Sequence, residues 1–216
     1  SSAIKIKMRS NMAKSDKSLD PKILGAAKEE FLEKGFEKAS TNAICQKAGV
    51  TWGALKNRYS DKNGLFCALV NPVAEEFKEI LVRANEMFHE QSGEEQEQMA
   101  LQSGEDFFVN YVYANFDVFR LLLACAGGSS YESYMDELVT IIETSTLQFM
   151  EETGHQAVIN GRAAGEKTIH ILISSYLYGL FEPVMHNMTK EEAAIYVKEL
   201  KYFFDVGWAD IMKLKK

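Results

Sequence analysis

The chain has 216 residues, of which 46% are hydrophobic and 25% are charged. These fractions are typical of a folded globular protein and exclude an intrinsically disordered chain, while the length suits one large domain or two small ones. The longest apolar run, residues 168–181, is too short and too polar to span a membrane. Three widely spaced cysteines predict no disulfide framework and favour a reducing cytoplasm.

Charge is distributed unevenly along the chain. The net charge is −7, yet residues 1–70 hold 13 Lys and Arg against 7 Asp and Glu, whereas the remaining residues hold 11 against 24. A basic N-terminal part followed by an acidic remainder is typical of a small DNA-contacting unit joined to a larger body. Chance clustering of solvated surface charge is the alternative.

The N-terminal residues contain one clear helix. Residues 1–18 lack periodicity and are predicted to be a flexible basic segment. Asp20 and Pro21 mark the start of a helix, as N-cap and first helical residue, and Gly35 is predicted to end it.

Two short helices are predicted next. Thr41 is expected to cap the first, Gly49 to make the turn, and Thr51 to cap the second, which runs through Tyr59. Helices this short are marginal alone because nucleation is costly. Such a pair usually presents its second helix as a protrusion, and a helix about 10–12 Å wide fits the DNA major groove.

The remainder is predicted to be helical as well. A long helix is expected from about Lys62 to Glu90, and Pro72 is expected to let it bend. The sequence from Thr189 to Glu192 is a capping box that opens a final helix. Further helices are expected over residues 106–119 with a junction at 115–117, 119–124, 130–151 and 166–186. Residues 91–98 and 154–165 are interpreted mainly as loops, so the prediction is an all-α fold of about nine helices.

The segment from Ile23 to Val70 resembles the N-terminal domain of TetR-family transcriptional regulators. The residues that carry the resemblance follow in the family's order and spacing: Ala26, Ala27, Phe31, Lys34, Gly35 and Phe36; Ile44, Cys45, Ala48, Gly49 and Val50; Gly53, Ala54 and Leu55; Lys62, Leu65 and Phe66. This covers about a quarter of the chain. It implies a DNA-binding domain over residues 19–66, with the helix-turn-helix at about 40–59, and a helical effector-binding and dimerisation domain over 67–216.

The resemblance also implies binding of double-stranded operator DNA through Thr51–Tyr59. The candidate DNA-binding residues are Thr41, Thr51, Trp52, Gly53, Lys56, Asn57, Arg58 and Lys62. Hydroxyls at helix N-termini suit phosphates, Asn57 suits adenine, and Lys56 suits guanine or a phosphate. Trp52 either packs on a neighbouring helix or contacts a thymine methyl or sugar. At positions 56 and 58 the family commonly has Tyr and His or Tyr, whereas this chain has two basic residues.

A homodimer and a small-molecule effector are implied in the same way. The candidate dimer-interface residues lie on the last two helices: Ile173, Leu177, Leu180, Val184, Leu200, Phe204, Trp208 and Ile211. The candidate residues of a mostly apolar effector pocket are Phe107, Phe108, Tyr111, Arg120, Tyr134, Met135, Met150, His170 and Tyr176. Packing within the core of one chain is the alternative for both sets.

These features predict a ligand-responsive transcriptional repressor of bacterial cytoplasm, associated with the nucleoid when bound to DNA and released by an apolar or aromatic effector. No cofactor, metal, membrane association or enzymatic activity is expected, because the histidines lack metal-ligand spacing and no phosphate loop or nucleophile elbow is present. The alternative is a ligand-binding or oligomeric protein with a degenerate DNA-binding unit. The effector, the operator, the regulated genes and activation versus repression are not determined by these patterns.

Overall fold

The all-α class is confirmed by a computed structural model that describes residues 20–100 and 104–213. Its ten helices are α1 (Asp20–Lys38), α2 (Thr41–Ala48), α3 (Trp52–Tyr59), α4 (Lys62–His89), α5 (Gly93–Ala100), α6 (Glu105–Ala114), α7 (Phe116–Ala124), α8 (Tyr134–Thr153), α9 (Glu166–Met185) and α10 (Lys190–Met212). The predicted flexible segment 1–18 lies outside the described residues.

Residues 20–66, here called the N-terminal unit, pack around three aromatic rings. Phe31, Phe36 and Phe66 are buried, with ring centroids 5.2–5.8 Å apart. Leu55 of α3 is fully buried as well and fixes that short helix on its neighbours. The unit therefore consists of α1, α2 and α3 held against the first turns of α4.

Gly35 interrupts α1 close to the position where the sequence predicts its end. Its φ of 73° and ψ of 163° are non-helical, and glycine adopts positive φ without steric cost. The chain turns there, and the backbone N–H of Phe36 donates to the carbonyl oxygen of Cys125 at 2.8 Å. The break in α1 thus connects the N-terminal unit to the end of α7.

Helix α4 links that unit to residues 67–213, here called the C-terminal body. Phe66 is packed in the N-terminal unit, whereas Phe77, three turns later, lies 5.4 Å from the ring of Phe119. Pro72 lies on the exposed side of a helix that continues through it, although proline removes the hydrogen bond to the carbonyl of Ala68. A continuous hydrophobic core therefore runs along α4 through both parts.

Two segments interpreted as loops contain regular structure. Residues 93–100 form α5, and residues 158–163 form a hairpin in which β1 (Val158–Ile159) pairs antiparallel with β2 (Arg162–Ala163). Asn160 and Gly161 make the turn with φ of 50° and 76°. The hairpin lies within residues 154–165, which were interpreted mainly as a loop, because its two-residue strands are too short for a periodic pattern.

Helices α9 and α10 pack antiparallel. The hydroxyl of Tyr196 donates to the carbonyl oxygen of Gly179 at 3.1 Å, and the rings of Tyr176 and Phe204 are 5.0 Å apart. The capping box predicted at the start of α10 is confirmed, with Thr189 and Glu192 bonding reciprocally.

The candidate dimer residues face the interior of their own chain. Ile173, Leu177 and Val184 are buried within the monomer. The others are partly buried against the same core or the facing helix: Leu180, Leu200, Phe204, Trp208 and Ile211. Because α9 is apolar almost all round, periodicity alone does not tell its inner side from its outer side, and the role of these residues in a dimer stays a prediction.

A different apolar set is exposed on these two helices. Tyr202 and Phe203 are 74% and 72% exposed. Together with the other exposed apolar residues they define the outer face: Ile171, Tyr178 and Met185 of α9, and Ile195, Tyr202, Phe203 and Val206 of α10. Within the described ranges, no helix has the length and apolar character needed to cross a membrane.

Candidate nucleic-acid interface and cavity

One face of α3 is exposed to solvent. Trp52, Gly53, Lys56 and Asn57 are exposed, and their spacing of one, four and five residues places them on one side of the helix. Trp52 is 41% exposed, so it is not packed into a neighbouring helix. In the part of the chain that the structure describes, the side chains of Lys56 and Asn57 have no hydrogen-bond partner. This face is free to contact another molecule.

The N-termini of α2 and α3 are capped by side-chain oxygens. Thr51 caps α3 as predicted, since its Oγ1 accepts from the N–H of Ala54 at 3.2 Å. For α2 the cap is Ser40, which accepts from the N–H of Ala43 at 3.3 Å, and not Thr41, which is already helical. Either residue type suits a cap, and the extended backbone at Ser40 decides between them. The remaining N–H groups and the dipole of α3 favour an anion at its start.

Arg58 is directed at α1 and not at the exposed face of α3. Its Nε donates to Oδ1 of Asp20 at 3.0 Å, and its side chain is 15% exposed. The hydroxyl of Tyr59 donates to the same oxygen at 3.2 Å. Burial, reinforced by the Asp20 carboxylate, raises the pKa of Tyr59 to about 12. Arg58 therefore ties the end of α3 to the start of α1, and its role at the DNA stays a prediction.

Lys62 bonds to the C-terminal end of α1. Its Nζ donates to the carbonyl oxygens of Glu37 at 3.1 Å and Ala39 at 3.4 Å, and lies 4.6 Å from the ring centroid of Phe36. A cation there is stabilised by unpaired helix-end carbonyls. Because an ammonium has three donors, one remains for a phosphate, and that role stays a prediction.

Gly64, which was not among the predicted site residues, is required by the turn between α3 and α4. A Cβ at this position would lie 1.9 Å from the carbonyl oxygen of Tyr59. The N–H of Gly64 also donates to Oδ1 of Asp61, the N-cap of α4, at 2.8 Å. In the sequence, Gly64 stands three residues after Asp61, the N-cap of α4. A glycine in the first turn of a helix is a sign that another part of the backbone packs closely there.

Glu30 is a second residue that sequence reasoning missed. Its carboxylate is buried and accepts from the backbone N–H of Ser40 and from Nζ of Lys34, both at 2.9 Å. These two bonds, that to Ser40 first, hold the pKa of Glu30 below its ordinary value of 4.5. Glu30 thereby fixes the start of α2 against α1.

The basic excess of the N-terminal part is concentrated in its first residues. Residues 20–70 contain 8 Lys and Arg against 6 Asp and Glu, whereas residues 1–19 contain 5 against 1. Lys47 is paired with Glu29, and Lys34 with Glu30. Lys56 is therefore an important source of positive charge on the exposed face of α3.

A cavity of about 510 Å³, partly open to solvent, lies in the C-terminal body, against the last turns of α4. Its size is that of small-molecule sites in proteins. Its apolar lining consists of Ala84, Phe88, Met99, Gly104, Phe108, Ile142, Phe149, Ile173, Leu180, Val197, Trp208 and Met212. Its polar lining consists of Asn85, Glu105, Ser145, Thr146, Tyr176, Lys201 and Asp205.

Two of the nine candidate pocket residues, Phe108 and Tyr176, line this cavity. The other seven are not in its lining: Phe107, Tyr111, Arg120, Tyr134, Met135, Met150 and His170. Three members of the candidate dimer set line it instead, namely Ile173, Leu180 and Trp208.

The seven are placed elsewhere by their own contacts. Tyr134 is fully buried and donates to the carbonyl oxygen of Ala74 at 3.2 Å, while Tyr111 donates to Glu76 at 2.8 Å. Met135 is buried, Met150 packs partly buried on the core, Arg120 is partly buried on α7, and Phe107 is exposed. His170 lies on the surface, with Nδ1 2.9 Å from Oε2 of Glu143. The aromatic cluster thus packs in the core beside α4, and the role of these seven residues in a pocket stays a prediction.

Four of the polar residues in the cavity lining interact with one another. Lys201 and Asp205, four residues apart on α10, form an ion pair in which the Lys201 side chain is 12% exposed. Burial, followed by the carboxylates of Asp205 and Glu105, raises the pKa of Tyr176 to about 12. These groups can orient a polar end of a ligand whose remainder is apolar.

Comparison with known proteins agrees with this architecture. Residues 23–69 match the family model of bacterial regulatory proteins of the tetR family. No curated protein matches the sequence.

Solved structures share the fold over most of the chain. A TetR-like transcriptional regulator from Rhodococcus sp. RHA1 is 19% identical with a TM-score of 0.55, over 88% of this chain and 96% of that one. NalD, the secondary repressor of the MexAB-OprM multidrug efflux pump in Pseudomonas aeruginosa, is 20% identical with a TM-score of 0.55, over 87% and 96%. The fatty acid degradation regulator FadR from Bacillus halodurans is 12% identical with a TM-score of 0.51, over 85% and 96%.

Proposed function

We propose that this chain, which carries the N-terminal domain of TetR-family transcriptional regulators and shares their fold, is a ligand-responsive repressor that binds palindromic operator DNA as a homodimer. A small molecule in the cavity of the C-terminal body would release it from DNA. NalD, which shares the fold, is described as a repressor. The proposal divides the chain into a DNA-binding domain over residues 19–66 and an effector-binding and dimerisation domain over residues 67–216.

The exposed face of α3 is the observation that carries the proposal, and Gly53 is its most informative residue. A Cβ added at Gly53 would meet only Oγ1 of Thr51, at 3.9 Å, so packing within the chain does not require glycine there. Glycine inside a helix costs about 0.5–1 kcal/mol relative to alanine. A position that accepts this cost without an internal reason suits close approach of a DNA backbone, with Lys56 and Asn57 one turn further along.

A dimer is proposed to form through the outer face. Two DNA-binding domains are needed because helix-turn-helix proteins bind two half-sites about 34–36 Å apart, which is one turn of the duplex. The outer face offers seven exposed apolar residues on two adjacent antiparallel helices, and burying such a surface against a second copy is favourable. Of the residues expected at the interface from the sequence, Ile173, Leu177 and Val184 are buried within one chain.

Helix α4 is proposed to connect the cavity to the DNA-binding domain. Asn85 and Phe88 near its end line the cavity, while Leu65 and Phe66 near its start are buried in the N-terminal unit. A ligand that favours one position of the end of α4 would change which distances between the two DNA-binding domains of the dimer are populated. The break in the hydrogen-bond ladder at Pro72 is a suitable place for that change.

Selection of bound DNA from a random pool tests the proposal. We expect a palindrome with two half-sites about one helical turn apart. Affinity for it should exceed that for a scrambled duplex at the same salt concentration, measured by fluorescence anisotropy. Recovery of no preferred sequence would contradict the proposal and support the ligand-binding protein with a degenerate DNA-binding unit.

Two variants separate base reading from phosphate binding in the same assay. Asn57→Ala should lower affinity for the palindrome by about 1–3 kcal/mol and leave the scrambled duplex almost unaffected. Lys56→Ala should weaken both duplexes and reduce the salt slope by about one if it contacts a phosphate. Asn110→Ala, at an exposed position of α6, is the control. Equal losses on both duplexes for Asn57→Ala would remove its base-reading role.

A further inference from the structure

Glu105 is the unusual residue in the cavity lining. It is the first residue of α6, and its Oε2 is buried without a hydrogen-bond partner among the residues that the structure describes. A buried oxygen left unpaired costs free energy, and a charged one costs more, so native proteins rarely keep one without a reason. The start of α6 favours an anion through the helix dipole, but this does not supply a directed donor.

The charges around the cavity leave Glu105 uncompensated. Lys201 is the one basic residue in the described lining, and it is paired with Asp205. Asp106, the neighbour of Glu105, has its own partner in Lys198 at 3.2 Å. The cavity therefore carries one carboxylate more than its cations balance, at the same end as Tyr176, whose pKa the two carboxylates help to raise.

The rest of the cavity lining suits an apolar molecule with a positively charged end. Phe88, Phe108, Phe149 and Trp208 contribute aromatic faces, which attract cations as well as apolar groups. A neutral apolar ligand would use this surface but leave Glu105 unpaired, and an anion would meet its carboxylate. A ligand with a protonated amine satisfies both parts of the lining.

We propose that the cavity binds an amphipathic organic cation, an apolar body carrying a protonated amine that donates to Oε2 of Glu105. The inference rests on the proposed function in that this ligand would be the effector. It narrows the expected apolar or aromatic effector to one with a cationic end.

Three probes that differ only in their polar end test the charge preference. Trp52 and Trp208 are the two tryptophans of the chain, and Trp208 lines the cavity, so Trp52→Phe leaves one fluorescent reporter at the site. Decylammonium, decanol and decanoate are titrated against this protein at pH 7. We expect decylammonium to bind at least about tenfold tighter than decanol, the factor of a charge-assisted hydrogen bond, and decanoate to bind weakest.

Glu105→Gln tests whether the carboxylate causes the preference. This variant keeps the shape and removes the charge, so the affinities for decylammonium and decanol should become equal within about threefold. Asp106→Asn makes the same change at the adjacent, exposed residue and should keep the wild-type preference. Circular dichroism and the affinity for decanol show that both variants retain the fold and the cavity.

The outcomes that would overturn the inference are distinct. They are equal binding of decylammonium and decanol to the parent protein, tightest binding of decanoate, an unchanged preference in Glu105→Gln, or no binding of any probe at millimolar concentration. The wild-type chain is then tested on its selected palindrome. Binding of decylammonium through Glu105 without any change in DNA affinity would support the inference and contradict the proposed regulation, so the two failures are distinguishable.

Discussion

Adjacent residues of α3 have different contacts. Lys56 and Asn57 are exposed, Leu55 is fully buried, and Arg58 is held by Asp20. The sequence placed Lys56, Asn57 and Arg58 together at the DNA because all three are polar and lie in the family's recognition helix. The partner of Arg58 is 38 residues away in the chain, and no local pattern indicates it.

Gly53→Ala should separate stability from DNA binding. Alanine is the better helix former, so the free energy of unfolding should rise by roughly 0.5–1 kcal/mol in urea denaturation. Affinity for the selected palindrome should fall on the order of tenfold if the added methyl loses about 1.4 kcal/mol of contact with the DNA backbone.

Gly25→Ala is the matched control for this variant. Gly25 lies in α1, where an added Cβ would meet nothing within 4 Å. It should gain similar stability and leave DNA affinity unchanged. Wild-type DNA affinity for Gly53→Ala would contradict the close approach of DNA at α3.

At the scale of elements, α9 and α10 are the informative pair. Both helices are apolar on more than one side, with buried residues facing the cavity and core and exposed residues forming the outer face. A helix that is apolar all round is expected to be covered on both sides. In one chain the second side is uncovered, which agrees with the proposed dimer.

Tyr202→Glu should dissociate that dimer. Placing a carboxylate in the outer face would leave an unpaired charge in an apolar interface, so the dimer dissociation constant should rise at least about a hundredfold. Sedimentation velocity at micromolar concentration measures this. Met87→Glu adds the same charge at an exposed apolar residue of α4, outside the outer face, and should leave the mass unchanged. A monomeric wild-type protein at this concentration would contradict the proposal.

Two elements that were not predicted had local signals. Ser92 and Glu95 have capping-box spacing, and the N–H of Ser92 donates to Oε2 of Glu95 at 3.0 Å at the start of α5. The pair of Asn160 and Gly161 is the commonest turn of a two-residue hairpin. Neither element was predicted, because the surrounding residues are polar and show no hydrophobic periodicity.

Across the whole molecule, the N-terminal unit and the C-terminal body are joined by contacts besides α4. The N–H of Ser130 donates to Oδ1 of Asn63 at 2.9 Å, and Nδ2 of Asn63 donates back to Oγ of Ser130 at 3.2 Å. Nζ of Lys28 in α1 lies 2.7 Å from Oδ2 of Asp117 in α7. With the continuous core, these contacts indicate that the two parts fold as one cooperative unit.

The two tryptophans allow the cooperativity of unfolding to be measured, because Trp52 lies in the N-terminal unit and Trp208 lies in the C-terminal body. At equal protein concentration, thermal unfolding followed through each one, with the other replaced by Phe, should give the same midpoint. Asn63→Ala should lower both midpoints together by about 2–4 °C, since about 1 kcal/mol is lost. Asn110→Ala should shift neither. A transition of Trp52 well before that of Trp208 would show independent units.

The sequence by itself determined the all-α class, the starts of α1, α3, α4 and α10, and the match to the TetR-type DNA-binding domain. These depend on capping residues, glycines and apolar spacing within a few residues of chain. Only the tertiary structure decided which side of α9 and α10 is internal, which residues line the cavity, and that Glu105 lies unpaired within it. Those features depend on contacts between residues far apart in the chain. A local sequence pattern shows whether a residue is apolar or charged, but it does not determine which residues it contacts.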